Sequence, residues 1–114
     1  MILNAIIKNT SLGFDGAIFT FTLCLDVQDG YGVIFGGYAL DEYIKKRKKR
    51  IIQPLGAEAI QRVLEVVGVK KWEELKGKYL RVEFNGLGSS ISKIGNIMKD
   101  DWIDFATFFK GGNI

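Results

Sequence analysis

At 114 residues and 12.8 kDa, with 47% hydrophobic and 25% charged residues, the chain has the size and composition of one ordered domain, 1–114, with a modest core. The absence of histidine excludes Ser/His/Asp and Cys/His triads and most catalytic zinc sites, and a single cysteine excludes an internal disulfide. The formal charge of +3 is unevenly placed: Lys45, Lys46, Arg47, Lys48, Lys49 and Arg50 form one basic run, and the remaining residues are net acidic.

In chain order, Ile2 to Lys8 is apolar enough for a first strand, with Gly13 and Gly16 in the connection that follows. Phe19, Phe21, Leu23, Leu25 and Val27 alternate with Thr20, Thr22, Cys24 and Asp26, the pattern of a half-buried strand. Asp29-Gly30 is a turn signal, and Tyr31, Val33 and Phe35 continue the alternation, so the first forty residues predict a three-stranded antiparallel meander. Gly36-Gly37 closes that strand. Lacking a Cβ, the pair allows close approach of another backbone or of a phosphate.

The basic run falls in a connection at about 43–53. Six adjacent cations repel one another, so this stretch is either a solvated loop or a surface that contacts anions. Pro54 opens a helix whose apolar stripe is Ile60, Val63, Leu64 and Val67, and Gly68 is its C-terminal cap. Trp72 to Leu75 adds a helical turn. Lys78 to Asn85 alternates as a fourth strand, Gly86 to Ser90 forms a turn, and Ile91 to Met98 returns as a fifth. Asp100 or Asp101 caps a last helix carrying Trp102, Phe105, Ala106 and Phe109 on one face, widened by Ile103 and Phe108. That helix holds more large apolar groups than one small core readily absorbs, so Trp102, Phe105 and Phe109 are expected at an interface with a second subunit. The order β-β-β-α-β-β-α predicts an α+β domain with a largely antiparallel sheet.

Neither G-x-G-x-x-G nor G-x-x-x-x-G-K-S/T occurs, which argues against a nucleoside triphosphatase. The candidate binding groups are therefore dispersed. Lys45, Arg47 and Arg50 offer cations, Ser89 and Ser90 offer hydroxyl and amide donors in a hairpin loop, and Phe84, which shares the apolar face of its strand with Leu80 and Val82 and is expected in the core, also offers an aromatic face at the strand end. Asn96, in an otherwise apolar stretch, needs a partner in the fold or in a ligand, and an amide can read an adenine edge. Asp100, Asp101 and Asp104 suit a helix start better than a metal site. Cys24 has no basic neighbour in sequence and is read as inert.

Three strings, Asn9-Thr-Ser-Leu-Gly-Phe14, Phe35-Gly-Gly-Tyr-Ala-Leu-Asp41 and Ile94-Gly-Asn-Ile-Met-Lys-Asp-Asp-Trp-Ile103, with Val63-Leu-Glu-Val-Val-Gly-Val69 and Trp72-Glu between them, resemble a family of small phage and prophage proteins over nearly the whole chain. The nearest functional association is the Thoeris anti-defence family, oligomeric phage proteins that act as sponges for immune signalling nucleotides. The resemblance implies an anionic, adenine-bearing ligand of the cyclic ADP-ribose or cyclic oligonucleotide type, bound without catalysis or cofactor. It also implies a homo-oligomer in the host cytoplasm. Phe84, Asn96 and the Lys45 to Arg50 run supply the required residue types. The C-terminus departs from the expected pattern, because only Lys110 stands where arginines are expected. The competing expectations are a phage inhibitor that docks on a host defence protein, as an anti-CRISPR does, and a small nucleic-acid-binding protein.

No apolar run approaches the roughly 18 to 20 residues of a membrane-spanning helix. Met1 to Lys8 lacks the features of a signal peptide. The expected location is thus a reducing cytoplasm, with no membrane partner.

Overall fold

The computed structural model describes residues 1–28, 30–84 and 91–111. Its first three strands are β1 (Ile2–Asp15), β2 (Ile18–Val27) and β3 (Tyr31–Gly36), the predicted meander. Then follow β4 (Asp41–Ile44), β5 (Lys49–Ile52), α1 (Pro54–Val67), a single 3₁₀ turn at Trp72–Glu74, β6 (Tyr79–Glu83), β7 (Lys93–Asn96), β8 (Trp102–Asp104) and α2 (Phe105–Gly111). Six strands form one antiparallel sheet in the order β3-β2-β1-β6-β7-β8, while β4 and β5 pair only with each other. The chain is a compact α+β domain. No described helix is long and apolar enough to cross a membrane.

Because directly paired residues share a face, the register divides the sheet into two surfaces. Ala5, Ile7, Phe21, Leu23, Leu25, Val27, Phe35, Leu80, Val82, Ile94 and Ile103 occupy one face and are all buried. Helix α1 covers the β7–β8 end of that face with Ala59, Val63, Val66 and Val67, and α2 brings Phe105 onto Phe21 and Phe35. The opposite face carries Ile2, Ile34 and Tyr79 exposed, with Trp102 lying across Gly95 where no Cβ would fit.

Local chemistry explains the helix ends. Pro54 sits in the first turn of α1, where its missing N–H has no partner to lose, and Gly68 adopts φ 90° while donating its N–H to Leu64 O at 2.9 Å. Asp104 caps α2: its carboxylate accepts from the Ala106 N–H and from the Ser92 hydroxyl, each at 2.9 Å.

Four sequence expectations change. The first strand runs past Lys8 to Asp15, because a bulge between Ile7 and Asn9 lets β1 continue beside β2 through Gly13. Gly16 alone of the two glycines lies in the turn. The stretch 43–53 is chiefly a hairpin, closed by β4 and β5, instead of an irregular connection. Residues Trp102 and Ile103 form a strand, since Ile103 pairs with Ile94 and Trp102 with Gly95, so α2 starts at Phe105 under Asp104 and not under Asp100 or Asp101. Finally, Phe105 is not available to an oligomer face: it is buried against Phe21, Phe35 and Tyr38, while half-buried Phe109 stacks on it at 5.5 Å between centroids and packs on Tyr38.

A candidate anion-binding groove beside the basic hairpin

Leu40 fixes the base of the β4–β5 hairpin. Its N–H donates to Phe19 O at 2.8 Å, its carbonyl accepts from Gln53 N–H at 3.0 Å, and Gly56 of α1 packs so tightly on its backbone that a Cβ would collide with the Leu40 carbonyl. The hairpin is therefore held between β2 and α1. Asp41, the next residue, is buried, and Arg50 answers it from β5. Arg50 Nε donates to Asp41 Oδ2 at 2.9 Å, and Nη2 donates at 3.0 Å to both Oδ1 and the Asp41 carbonyl. This bidentate hydrogen bonding holds the Asp41 carboxyl below the usual carboxylate range despite its burial, and raises Arg50 further.

Beyond that pair the cations are free. Lys45, Lys46, Arg47, Lys48 and Lys49 are exposed, and none forms an ion pair among the described residues. Their turn is nevertheless ordered: Arg47 N–H and Lys48 N–H both donate to Ile44 O, at 3.0 and 2.8 Å. Lys48 sits at φ 54°, the one non-glycine residue with positive φ among those described. L-residues adopt that conformation at a cost that glycine avoids. A lysine here thus keeps a charge at the expense of backbone ease.

Alongside the hairpin runs a groove of about 240 Å³ lined by Phe14, Phe19, Asp41, Lys49, Arg50, Ile51 and Ile52. Phe14 is 73% exposed, and its ring meets Phe19 edge-on with centroids 5.2 Å apart. The groove therefore joins an open aromatic surface to cationic side chains. That combination suits a ligand carrying phosphate and a flat, weakly polar moiety, the phosphate meeting Lys49 and its neighbours and the flat part lying on Phe14.

Of the basic run singled out from sequence, Lys49 and Arg50 line this groove, and the Arg50 guanidinium is committed to Asp41. Lys45 and Arg47 stand at the tip of the same hairpin. Phe84 packs against the core at the end of β6, where its N–H donates to Met1 O and its carbonyl accepts from the Met1 ammonium. Asn96 is an internal clamp: its Nδ2 donates to Val66 O at 2.8 Å, satisfying a carbonyl at the end of α1, and its Oδ1 accepts from Met98 and Lys99 N–H at 2.9 and 2.8 Å. Its amide is thereby taken from the role of base reader. Gly36 and Gly37, at φ 116° and 84°, approach the backbone of β2: a Cβ on Gly36 would strike the Phe21 carbonyl, and Gly37 N–H donates to that same oxygen at 2.8 Å. Ser89 and Ser90 lie outside the described residues. Trp102 faces the uncovered side of the sheet, with Arg81 at 4.8 Å and Lys93 at 5.3 Å from its ring centre.

Sequence reasoning missed Phe14 and Phe19. The signal was present, because a two-residue turn at Gly16-Ala17 pairs Asp15 with Ile18 and so places Phe14 opposite Phe19. In comparisons with protein-family models, curated proteins and solved structures, the chain matches none.

Proposed function

We propose that this chain binds an anionic signalling nucleotide, of the cyclic ADP-ribose or cyclic oligonucleotide type, and sequesters it without cleaving it. The observation that carries the reading is the ordered β4–β5 hairpin, which lays Lys49 in one groove with the exposed Phe14 ring and carries Lys45, Lys46, Arg47 and Lys48, exposed and without ion pairs among the described residues, in its turn. Self-repulsion among those cations is relieved when a phosphate sits between them, so ligand binding and hairpin stability reinforce each other. The base or ribose lies on Phe14, which Phe19 supports from behind. Arg50 shapes the wall while Asp41 keeps it in place. The roles assigned to these groups are attraction and contact, and no proton or bond is moved. A sponge acts by affinity alone: nanomolar retention needs roughly 12 kcal/mol of net binding free energy. The three sequence strings resemble small phage and prophage proteins, whose nearest functional association, the Thoeris anti-defence family, implies the same ligand class.

Titration calorimetry and thermal shift with cyclic ADP-ribose and a cyclic dinucleotide test this reading. Binding stabilises the fold by about 2.7 kcal/mol at a hundredfold excess of ligand over the dissociation constant. Heat release followed by mass spectrometry returns the ligand intact. Charge reversal at Lys45, Arg47 and Lys49 together abolishes binding while the circular dichroism spectrum is unchanged. Cleaved ligand would replace the proposal with a hydrolase. Retention of single-stranded nucleic acid instead, with a steep salt dependence, would replace it with the nucleic-acid reading. Binding of neither would return the basic hairpin to a solvated surface.

A further inference from the structure

The β1–β2 arm leaves one long strand edge without a partner. Pairing of β1 with β6 stops at Ile6↔Tyr79, and the last backbone bonds on that side link Ile7 to Gly77 and Lys78. From residue 8 to residue 15, β1 continues with β2 on one side only, and among the described residues no backbone group bonds its other side. Eight residues at about 3.3 Å each make an edge roughly 26 Å long. Such an edge is a template for another strand unless it is blunted by charge, proline or brevity. Residues 9 to 14, Asn-Thr-Ser-Leu-Gly-Phe, contain neither charge nor proline. By contrast, β8 spans three residues and β3 six, both shorter than this edge.

We infer that this edge pairs antiparallel with the same edge of a second copy of the chain, about a two-fold axis through Leu12. It rests on the strand edge and not on the ligand proposed above, although both involve Phe14. A two-fold axis perpendicular to the sheet keeps equivalent faces together, so paired residues must come from the same face of β1. With Thr10, Leu12 and Phe14 on one face and Asn9, Ser11, Gly13 and Asp15 on the other, the register centred on Leu12 obeys that condition. It pairs Leu12 with Leu12, Ser11 with Gly13, Thr10 with Phe14 and Asn9 with Asp15. Leu12, 38% exposed, gains cover across the junction from its own counterpart. The only charges on the edge, Lys8 and Asp15, come together at each end, where Lys8 of one copy lies beside Asp15 of the other. The partner is a second copy because the edge is complementary to itself in face and charge. The pairing also consumes both edges, so it closes as a dimer and does not extend into a fibre.

Sedimentation equilibrium of the full chain reads twice the 12.8 kDa monomer mass. In a Cys24→Ser background, Leu12→Cys places two thiols on the axis, where directly opposite Cα atoms are about 4.5–5.5 Å apart, within disulfide range. Mild oxidation links that variant into covalent dimers. Ser11→Cys, whose copies lie beyond about 7 Å from each other in this register, stays unlinked. Leu12→Lys opposes two ammonium groups and yields a monomer. A wild-type chain that remains monomeric at hundreds of micromolar overturns the inference. So does a dimer that survives Leu12→Lys, or one in which the two cysteine variants cross-link equally. Should Leu12→Lys fail to fold, the cysteine pair decides alone.

Discussion

Lys48→Gly separates folding from binding, because the two respond with opposite sign. Lys48 holds φ 54°, while its N–H donates to Ile44 O at 2.8 Å and to Lys45 O at 3.3 Å. Glycine keeps that N–H and removes the Cβ that crowds the left-handed conformation, a relief of about 1 to 2 kcal/mol. Against this stands the extra freedom of glycine in the unfolded chain, about 0.5 to 1 kcal/mol. Removing one of the exposed cations also lowers repulsion within the hairpin. The net expectation is a gain of about 0 to 1.5 kcal/mol, a rise in Tm of about 6 °C or less for a domain of this size. Affinity for cyclic ADP-ribose moves the other way, falling about five- to tenfold, as suits the loss of roughly 1 kcal/mol of exposed charge attraction. Urea unfolding measures the first change and calorimetry at fixed ionic strength the second. Loss of stability would show that the Lys48 side chain holds the turn together. Unchanged affinity would show that the hairpin charge does not serve a ligand.

Phe105→Ala removes a ring that is 2% exposed and in contact with Phe21, Phe35 and Tyr38, so it should cost about 3 to 5 kcal/mol in urea unfolding; a loss below about 1 kcal/mol would mean that α2 is not part of the core. Asn96→Ala frees the Val66 carbonyl and two N–H groups, with an expected loss of about 1 to 3 kcal/mol, whereas its ligand affinity stays at the wild-type level in calorimetry. Gly36→Ala, strained by φ 116° and by the Phe21 carbonyl, should lower stability by about 2 kcal/mol or more on the same assay. Asp41 has its folded pKa below its unfolded one, so its contribution is complete above the unfolded value near pH 4 and disappears as pH falls through the folded value. Urea midpoints should therefore drop below about pH 4 more steeply in wild type than in Asp41→Asn.

Elements with an undisturbed period were readable in the sequence. The alternation of Phe19 to Val27 and of Leu80 to Glu83, and the stripe of Val63 and Val67 between Pro54 and Gly68, became β2, β6 and α1 because one face of each is buried. Strands β4, β5 and β8 escaped for a common reason: each is three or four residues long, too short to show a period. Trp102, Ile103 and Phe105 look helical by spacing, yet Gly95 opens a slot for the indole and Ile94 receives Ile103. Tertiary pairing decided those residues, and it is not local information. The surplus of aromatics near the C-terminus was visible, but its destination depended on Phe21, Phe35 and Tyr38, all more than sixty positions upstream of Phe105.

The basic run shows why the site was harder to read than the fold. In sequence its six residues are interchangeable cations, and their proximity is the only visible property. The hairpin divides them by role. Strand register turns Arg50 towards Asp41 and fixes it there through three hydrogen bonds, while the turn throws Lys45 to Lys48 outward and β5 lays Lys49 along the groove. Charge reversal at Arg50 would therefore disturb the scaffold, and charge reversal at Lys49 would disturb the surface. The aromatic partner comes from another hairpin thirty-five residues earlier, through the Phe14↔Phe19 pair. A candidate surface assembled from two hairpins depends on the Leu40 anchor that docks one against the other, and no spacing within either hairpin encodes it.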